Sequence, residues 1–238
     1  MNLDHVDIVV THTCNMNCRH CIDKYRGCYD SIVSVERVEN FLNIIDKHAN
    51  KGLEVLLLGG EPTVAGEEHL IKIADIAHKH GFEITMSSNG QLKSVICGVL
   101  PFFDSVQITT HSDKETDFWE QYGEKINIKI SGDRHLTKES LEHFVDYTKN
   151  KFFRRSVSMY FTEDFEELCT DRYVWDLLDK MQWNRNGSYK YAFYEGVRFK
   201  KCIHGETNII DEPTIPKLYP SGVYNKTWCN EHSDPYLE

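Results

Sequence analysis

The 238-residue chain carries 27 Lys and Arg against 37 Asp and Glu, a formal charge of −10, and 40% of its residues are hydrophobic. That hydrophobic share supports one packed core domain with a small appendage, while the acidic balance argues against a nucleic-acid partner, which needs a basic stripe. No apolar run reaches the ~18 residues of a membrane span. No signal peptide is visible, because Asp4, His5 and Asp7 follow Met1 so closely, and a cytoplasmic, reducing setting is expected for the eight cysteines.

The first expected element is a β-branched strand over residues 6–11, which runs straight into Thr-His-Thr-Cys-Asn-Met-Asn-Cys-Arg-His-Cys. Cys14, Cys18 and Cys21 are spaced C-x₃-C-x₂-C. Three thiolates on one short loop suit three irons of a cubane [4Fe–4S] cluster, and the fourth iron is then open to bind a small molecule and pass it an electron. A structural zinc site is the alternative, but it calls for four closed ligands in paired units. His20 adjoins Cys21, and neighbours in sequence rarely reach the same tetrahedral ion. A disulfide framework does not fit an odd set of cysteines in a reducing compartment.

Further along, Val35, Val38, Phe41, Leu42, Ile45 and Ala49 recur at helical spacing, with Ser34 as N-cap and Gly52 as terminator; a helix is expected over 35–51. A strand over 53–58 ends in Gly59-Gly60-Glu61-Pro62. A helix over 67–80 then buries Leu70, Ile73, Ala74 and Ala77, and a third strand over 83–87 ends in Ser88-Asn89-Gly90. Next come a short helix over 92–100, a strand over 105–110 and a weak helix over 115–122. A strand over 126–130, a helix over 137–151 and a sixth strand over 156–161 follow. Such alternation implies parallel strands joined by right-handed crossovers. Six units fall short of the eight of a closed barrel.

The cysteine loop, the Gly-Gly-Glu-Pro after the second strand and the Ser-Asn-Gly after the third together resemble the radical S-adenosylmethionine (radical SAM) superfamily. The resemblance covers roughly residues 5–165 and implies an open (β/α)₆ partial TIM barrel in an α/β fold. It also implies a reaction, the reductive cleavage of SAM to a 5′-deoxyadenosyl radical that abstracts hydrogen from a small-molecule or peptide substrate. In its terms Cys14, Cys18 and Cys21 hold the cluster, Gly59, Gly60 and Glu61 hold the methionine amino group, and Ser88 and Asn89 form a polar strand end. His20 would lie beside the adenine. Thr109, Thr110 and His111, and Ser131, Gly132, Asp133 and Arg134, would face the SAM ribose or the substrate. An electron donor such as flavodoxin or ferredoxin is implied. All these positions fall at carboxyl ends of strands, where parallel barrels place their chemistry.

After about residue 165 the alternation stops. A helix over 173–181 and a β-hairpin over 189–201 are expected, followed by Pro-rich sequence. The chain is thus divided into a core, 1–165, and a C-terminal α+β capping extension, 166–238, whose aromatics suit it to covering a substrate. Cys97 reads as a core residue, and Cys28, Cys169, Cys202 and Cys229 as reduced thiols, although they could supply a second cluster. Two rivals remain: a glycyl-radical enzyme activase, and a non-catalytic iron–sulfur or zinc binding module.

Overall fold

The computed structural model describes residues 3–18, 32–110, 115–132, 137–148, 151–152, 154–159, 217–218 and 224–225. The chain divides into two compact units, Met1–Val106 with Ile210–Glu238, and Gln107–Ile209.

In the first unit, strand β1 (Leu3–Thr11) is followed by helix α1 (Val35–Ile45), strand β2 (Ala49–Gly59), helix α2 (Glu67–Lys79), strand β3 (Glu83–Ser88) and helix α3 (Lys93–Val99). β1 pairs in parallel with β2, setting Val6 beside Val55 and Ile8 beside Leu57, and β2 pairs in parallel with β3, setting Val55 beside Ile84 and Leu57 beside Met86. All these side chains are fully buried. Side chains alternate along a strand, so this row is the face that the helices cover. Phe41, Leu42 and Ile45 of α1 and Leu70, Ile73, Ala74 and Ala77 of α2 are fully buried as well. At ~25 cal/mol per Å² of apolar surface removed from water, rows like these dominate folding. The opposite face is mixed, carrying His5, Asp7, Glu54 and Thr85 beside Val9, Leu56 and Leu58.

Helix α1 stops at Ile45, not at residue 51. Its N-cap is Ser34, whose hydroxyl accepts the Arg37 N–H at 3.3 Å. Its other end is decided elsewhere, because Leu3 N–H donates to His48 O at 2.9 Å and Leu3 stands in register with Ala49. The partner strand therefore draws residues 49–52 into β2, against the local helical spacing. A second difference is the short strand β7 (Lys217–Leu218), which pairs in parallel with β1 at Asp7 and Ile8; β8 (Tyr224–Asn225) pairs antiparallel with β7. Two-residue strands have no periodicity to read, and it is the edge of β1 that makes them strands.

Strand β4 (Ser105–Thr110) crosses from the first unit into the second, which continues with the one-turn helix α4 (Asp117–Glu120), strand β5 (Ile126–Gly132), helix α5 (Lys138–Thr148) and strand β6 (Arg154–Met159). β5 and β6 are parallel, with Asn127 beside Arg154 and Lys129 beside Ser156. Thr137 caps α5, its hydroxyl accepting the Ser140 N–H at 3.2 Å, and so stands just outside the helix. The helix expected over 173–181 and the hairpin expected over 189–201 lie outside the described residues.

Candidate active site

At the carboxyl ends of β1, β2 and β3 the first unit brings together Cys14, Gly59, Gly60, Glu61, Ser88 and Asn89. Val33 N–H donates to Val10 O at 2.8 Å, and Thr11 bridges Ile32, so the chain leaves β1 and returns at one clamped point. Just beyond β1, the Thr13 N–H donates to the Thr11 hydroxyl at 3.1 Å.

The two glycines fit this strand end. Gly60 N–H donates to Thr11 O at 2.7 Å and Glu61 N–H to Thr13 O at 2.9 Å, so the end of β2 lies flat against residues 11–13. A Cβ on Gly60 would collide with the carbonyls of His12 and Thr13, and one on Gly59 with the carbonyl of Thr11. Gly59 also has φ 129°, a region that side-chain-bearing residues rarely occupy. Close approach of backbone to backbone is the observed use of this pair.

Glu61 is only 1% exposed. One carboxylate oxygen, Oε1, accepts the Thr63 N–H at 3.1 Å, the Thr63 hydroxyl at 2.6 Å and the Ser88 hydroxyl at 2.8 Å. The other, Oε2, accepts the Asn89 backbone N–H at 2.7 Å. Four donors from three residues therefore converge on one carboxylate, which offsets the cost of burying its charge. Oε1 is saturated, whereas Oε2 keeps lone-pair capacity for one more donor. Thr63, in the 3₁₀ turn Pro62–Ala65 that Glu61 caps, was not anticipated from the sequence. The signal was there: a hydroxyl residue two places after a carboxylate and next to a proline that starts a helical turn.

Cys14 and Cys18 are half-buried cysteines on the loop that follows β1. Cys14 Sγ accepts the Met16 N–H at 3.3 Å and lies 3.8 Å from Asn89 Nδ2. Cys21 and His20 lie outside the described residues, as do His111, Asp133 and Arg134. Thr109 is half-buried at the end of β4, and Ser131 stands near the end of β5, both in the second unit. The hydroxyl of the neighbouring Thr110 is taken by Glu115 Oε2 at 2.8 Å. Cys97 is half-buried on α3, on the margin of the core and not inside it; Ile96 and Val99 beside it take the buried positions.

A family model described as the Radical SAM superfamily matches residues 8–167. The chain belongs to the radical SAM superfamily. Among curated proteins, an S-adenosylmethionine-dependent nucleotide dehydratase of Fibrobacter sp. (strain UWH6) is 25% identical over 220 residues, which is 89% of this chain and 63% of that protein. A probable GTP 3′,8-cyclase of Sulfolobus acidocaldarius is 29% identical over 137 residues, 54% of this chain and 41% of that protein. The chain thus spans under two thirds of the length of these relatives. Among solved structures, anSMEcpe with bound AdoMet matches with TM-score 0.66 at 17% identity, covering 95% of this chain and 74% of that one. SuiB of Streptococcus suis bound to S-adenosylmethionine matches with TM-score 0.67 at 16% identity, covering 99% of this chain and 63% of that one. At such identities these matches speak for the fold, the open radical SAM partial barrel with parallel strands.

The cofactors of this radical SAM chain are a [4Fe–4S] cluster and SAM. The donor set fits them. Cysteine thiolates are the ligands such clusters take, and N–H groups aimed at Cys14 sulfur are the outer partners such sulfurs take. Glu61 Oε2 is an anionic acceptor with capacity left for an ammonium group. No helix among the described residues is long and apolar enough to cross a membrane.

Proposed function

We propose that the chain cleaves SAM reductively and acts on a small, anionic, nucleotide-like substrate. The chemistry supplied by the bound cluster and SAM is hydrogen abstraction by a 5′-deoxyadenosyl radical. Cys14, Cys18 and Cys21 would hold the cluster, and Glu61 would orient the SAM ammonium from Oε2. Gly59 and Gly60 keep the strand end that carries Glu61 flat against the cysteine loop. His20, Ser88, Thr109 and Ser131 remain proposed contacts to SAM or substrate. Ser88 would act through Glu61, because its hydroxyl is already given to that carboxylate. The electron would come from a small donor protein such as flavodoxin or ferredoxin.

The observation that carries the substrate class is Lys129. It is half-buried on β5 between the fully buried Ile128 and the nearly buried Ile130, and it has no ion pair among the described residues. A half-buried ammonium between apolar neighbours would favour an anionic group on the substrate. A phosphate group supplies one, and the curated relatives are named for nucleotide and GTP chemistry. Residues 1–165 would form the catalytic core, with 166–238 covering the substrate; Lys217 and Leu218 of that extension also pair with the edge of β1.

The test is 5′-deoxyadenosine formation by the reconstituted protein with dithionite and SAM, against nucleoside triphosphates, the matching nucleosides and short peptides. Stimulation by a triphosphate well above its nucleoside is expected. Lys129→Ala should raise KM for that nucleotide by about tenfold or more, the worth of one charge-assisted contact at ~1.5–3 kcal/mol. Stimulation by peptides alone, or equal KM in the variant, would overturn the nucleotide reading.

A further inference from the structure

Asn89 sits where the cysteine loop, the Gly-Gly-Glu turn and β3 meet, and its groups divide between them. Its backbone N–H donates to Glu61 Oε2 at 2.7 Å. Its side-chain Oδ1 accepts the Gln91 N–H at 3.0 Å, forming a local turn after β3. Its side-chain Nδ2 donates to Asn15 Oδ1 at 2.7 Å and reaches Cys14 Sγ at 3.8 Å. With the Gln91 bond fixing Oδ1, the amide cannot flip without losing two contacts, so Nδ2 is the end that faces the cysteine loop.

We propose that the Asn89 side chain is a positioning residue for the cluster: it holds the Cys14–Asn15 peptide in place and raises the cluster's reduction potential through its N–H near Cys14 sulfur. This rests on the cluster reading of Cys14, Cys18 and Cys21. The physical basis is that reduction adds negative charge, which spreads over the coordinating sulfurs. A donor aimed at such a sulfur stabilises the reduced state more than the oxidised one. The Met16 N–H at 3.3 Å from Cys14 Sγ acts in the same sense. A backbone donor, however, is present whatever the side chain, whereas Asn89 contributes from a different strand. It therefore ties the electronic state of the loop to the segment that also holds Glu61. Asn15 takes part as the clamp, since its Oδ1 shares the Asn89 amide with Cys14 Sγ.

Substituting the side chain leaves the backbone bond to Glu61 intact, which makes the proposal separable from Glu61's own role. Asn89→Asp keeps the oxygen that accepts from Gln91 and replaces the donor by a second oxygen facing sulfur. Asn89→Ala removes both. The measurement is an anaerobic redox titration followed by electron paramagnetic resonance, with iron content and thermal unfolding recorded for each protein. Wild type should load about four irons; if it loads none, it is the cluster reading that fails. Both variants should titrate at more negative potentials than wild type, with Asn89→Asp shifted further because it adds an anion. An unchanged potential in whichever variant loads the cluster would overturn the proposal and leave Asn89 as a turn former. Should neither load, retention of the wild-type unfolding temperature in the apo proteins supports the positioning role. Loss of the fold in both would overturn it.

Discussion

Strands β1, β2 and β3 bury one carboxylate at their carboxyl ends and another near their middle, and the two are held in opposite ways. At the carboxyl end, Glu61 is held by neutral donors alone: two hydroxyls and two backbone N–H groups. Midway along β1, Asp7 is 1% exposed and is held by a titratable partner, His5 Nε2, at 2.9 Å. The other His5 nitrogen, Nδ1, meets Glu54 Oε2 at 3.0 Å, and Glu54 Oε1 accepts the Thr85 hydroxyl at 3.0 Å. Neutral donors leave a carboxylate its full negative charge and an outward lone pair, which suits it to a cationic ligand. An imidazolium between two carboxylates cancels one of their two charges and ties both carboxylates to itself. In the proposed reading, Glu61 would serve a ligand and the His5 group stability along the same three strands, the division that parallel barrels show in general.

The sharpest test removes the chemistry at the carboxyl end and leaves the His5 group untouched. Cys14→Ala, Cys18→Ala and Cys21→Ala should each reduce reconstituted iron from about four per chain toward none. Cys97→Ala, on the half-buried side of α3, should keep it. Iron near eight in the wild type would instead point to a second cluster, with Cys202 and Cys229 among its ligands.

Glu61→Gln comes next in size. The amide nitrogen cannot serve all four donors, so either the group at the Oε1 site or the Asn89 N–H is left facing another donor. SAM affinity should fall about 5- to 30-fold, from ~1–2 kcal/mol of lost charge-assisted bonding. The unfolding temperature should fall too, because a buried donor without an acceptor costs ~1–3 kcal/mol. Unchanged SAM affinity with reduced stability would make Glu61 a clamp on the strand ends and nothing more.

The smallest effect belongs to the group around His5. Burial pulls the His5 pKa down, but hydrogen bonds and charge attraction from Asp7 and Glu54 outweigh it and leave the pKa raised to about 9. A raised pKa means that the folded state binds the proton more tightly than the unfolded chain, whose histidine titrates near the usual 6.5. The resulting stabilisation is complete below about pH 6.5 and is lost as pH rises through about 9. The unfolding temperature should therefore decline between those values in wild type and decline less in His5→Gln. Parallel curves for the two proteins would show that His5 is not the group responsible.

How much of this was legible in advance depends on the kind of signal. The strand–helix alternation could be read because Val, Ile and Leu recur at periods of two and 3.6 over many residues. Element ends were less legible: α1 gives up residues 49–52 because β1 offers them a hydrogen-bonding partner, and a partner is not a local property. Strands β7 and β8 were illegible for the same reason. At the site, Gly59, Gly60 and Glu61 were legible as a motif, but the groups they meet were not. The glycines are pressed against the backbone of residues 11–13, and Glu61 gathers Thr63, Ser88 and Asn89.

What the sequence determined by itself was the chemistry available: three thiols on one loop, a carboxylate after two glycines, and a polar end to the third strand. Spacing along the chain suffices for that, since ligand type and number follow from residue identity. Only the tertiary structure decided which groups answer one another. Hydrogen bonds act over about 3 Å and are indifferent to sequence separation, so Asn89 could be joined to Asn15 and Glu61, or His5 to Glu54, only once parallel pairing had set β1, β2 and β3 in register.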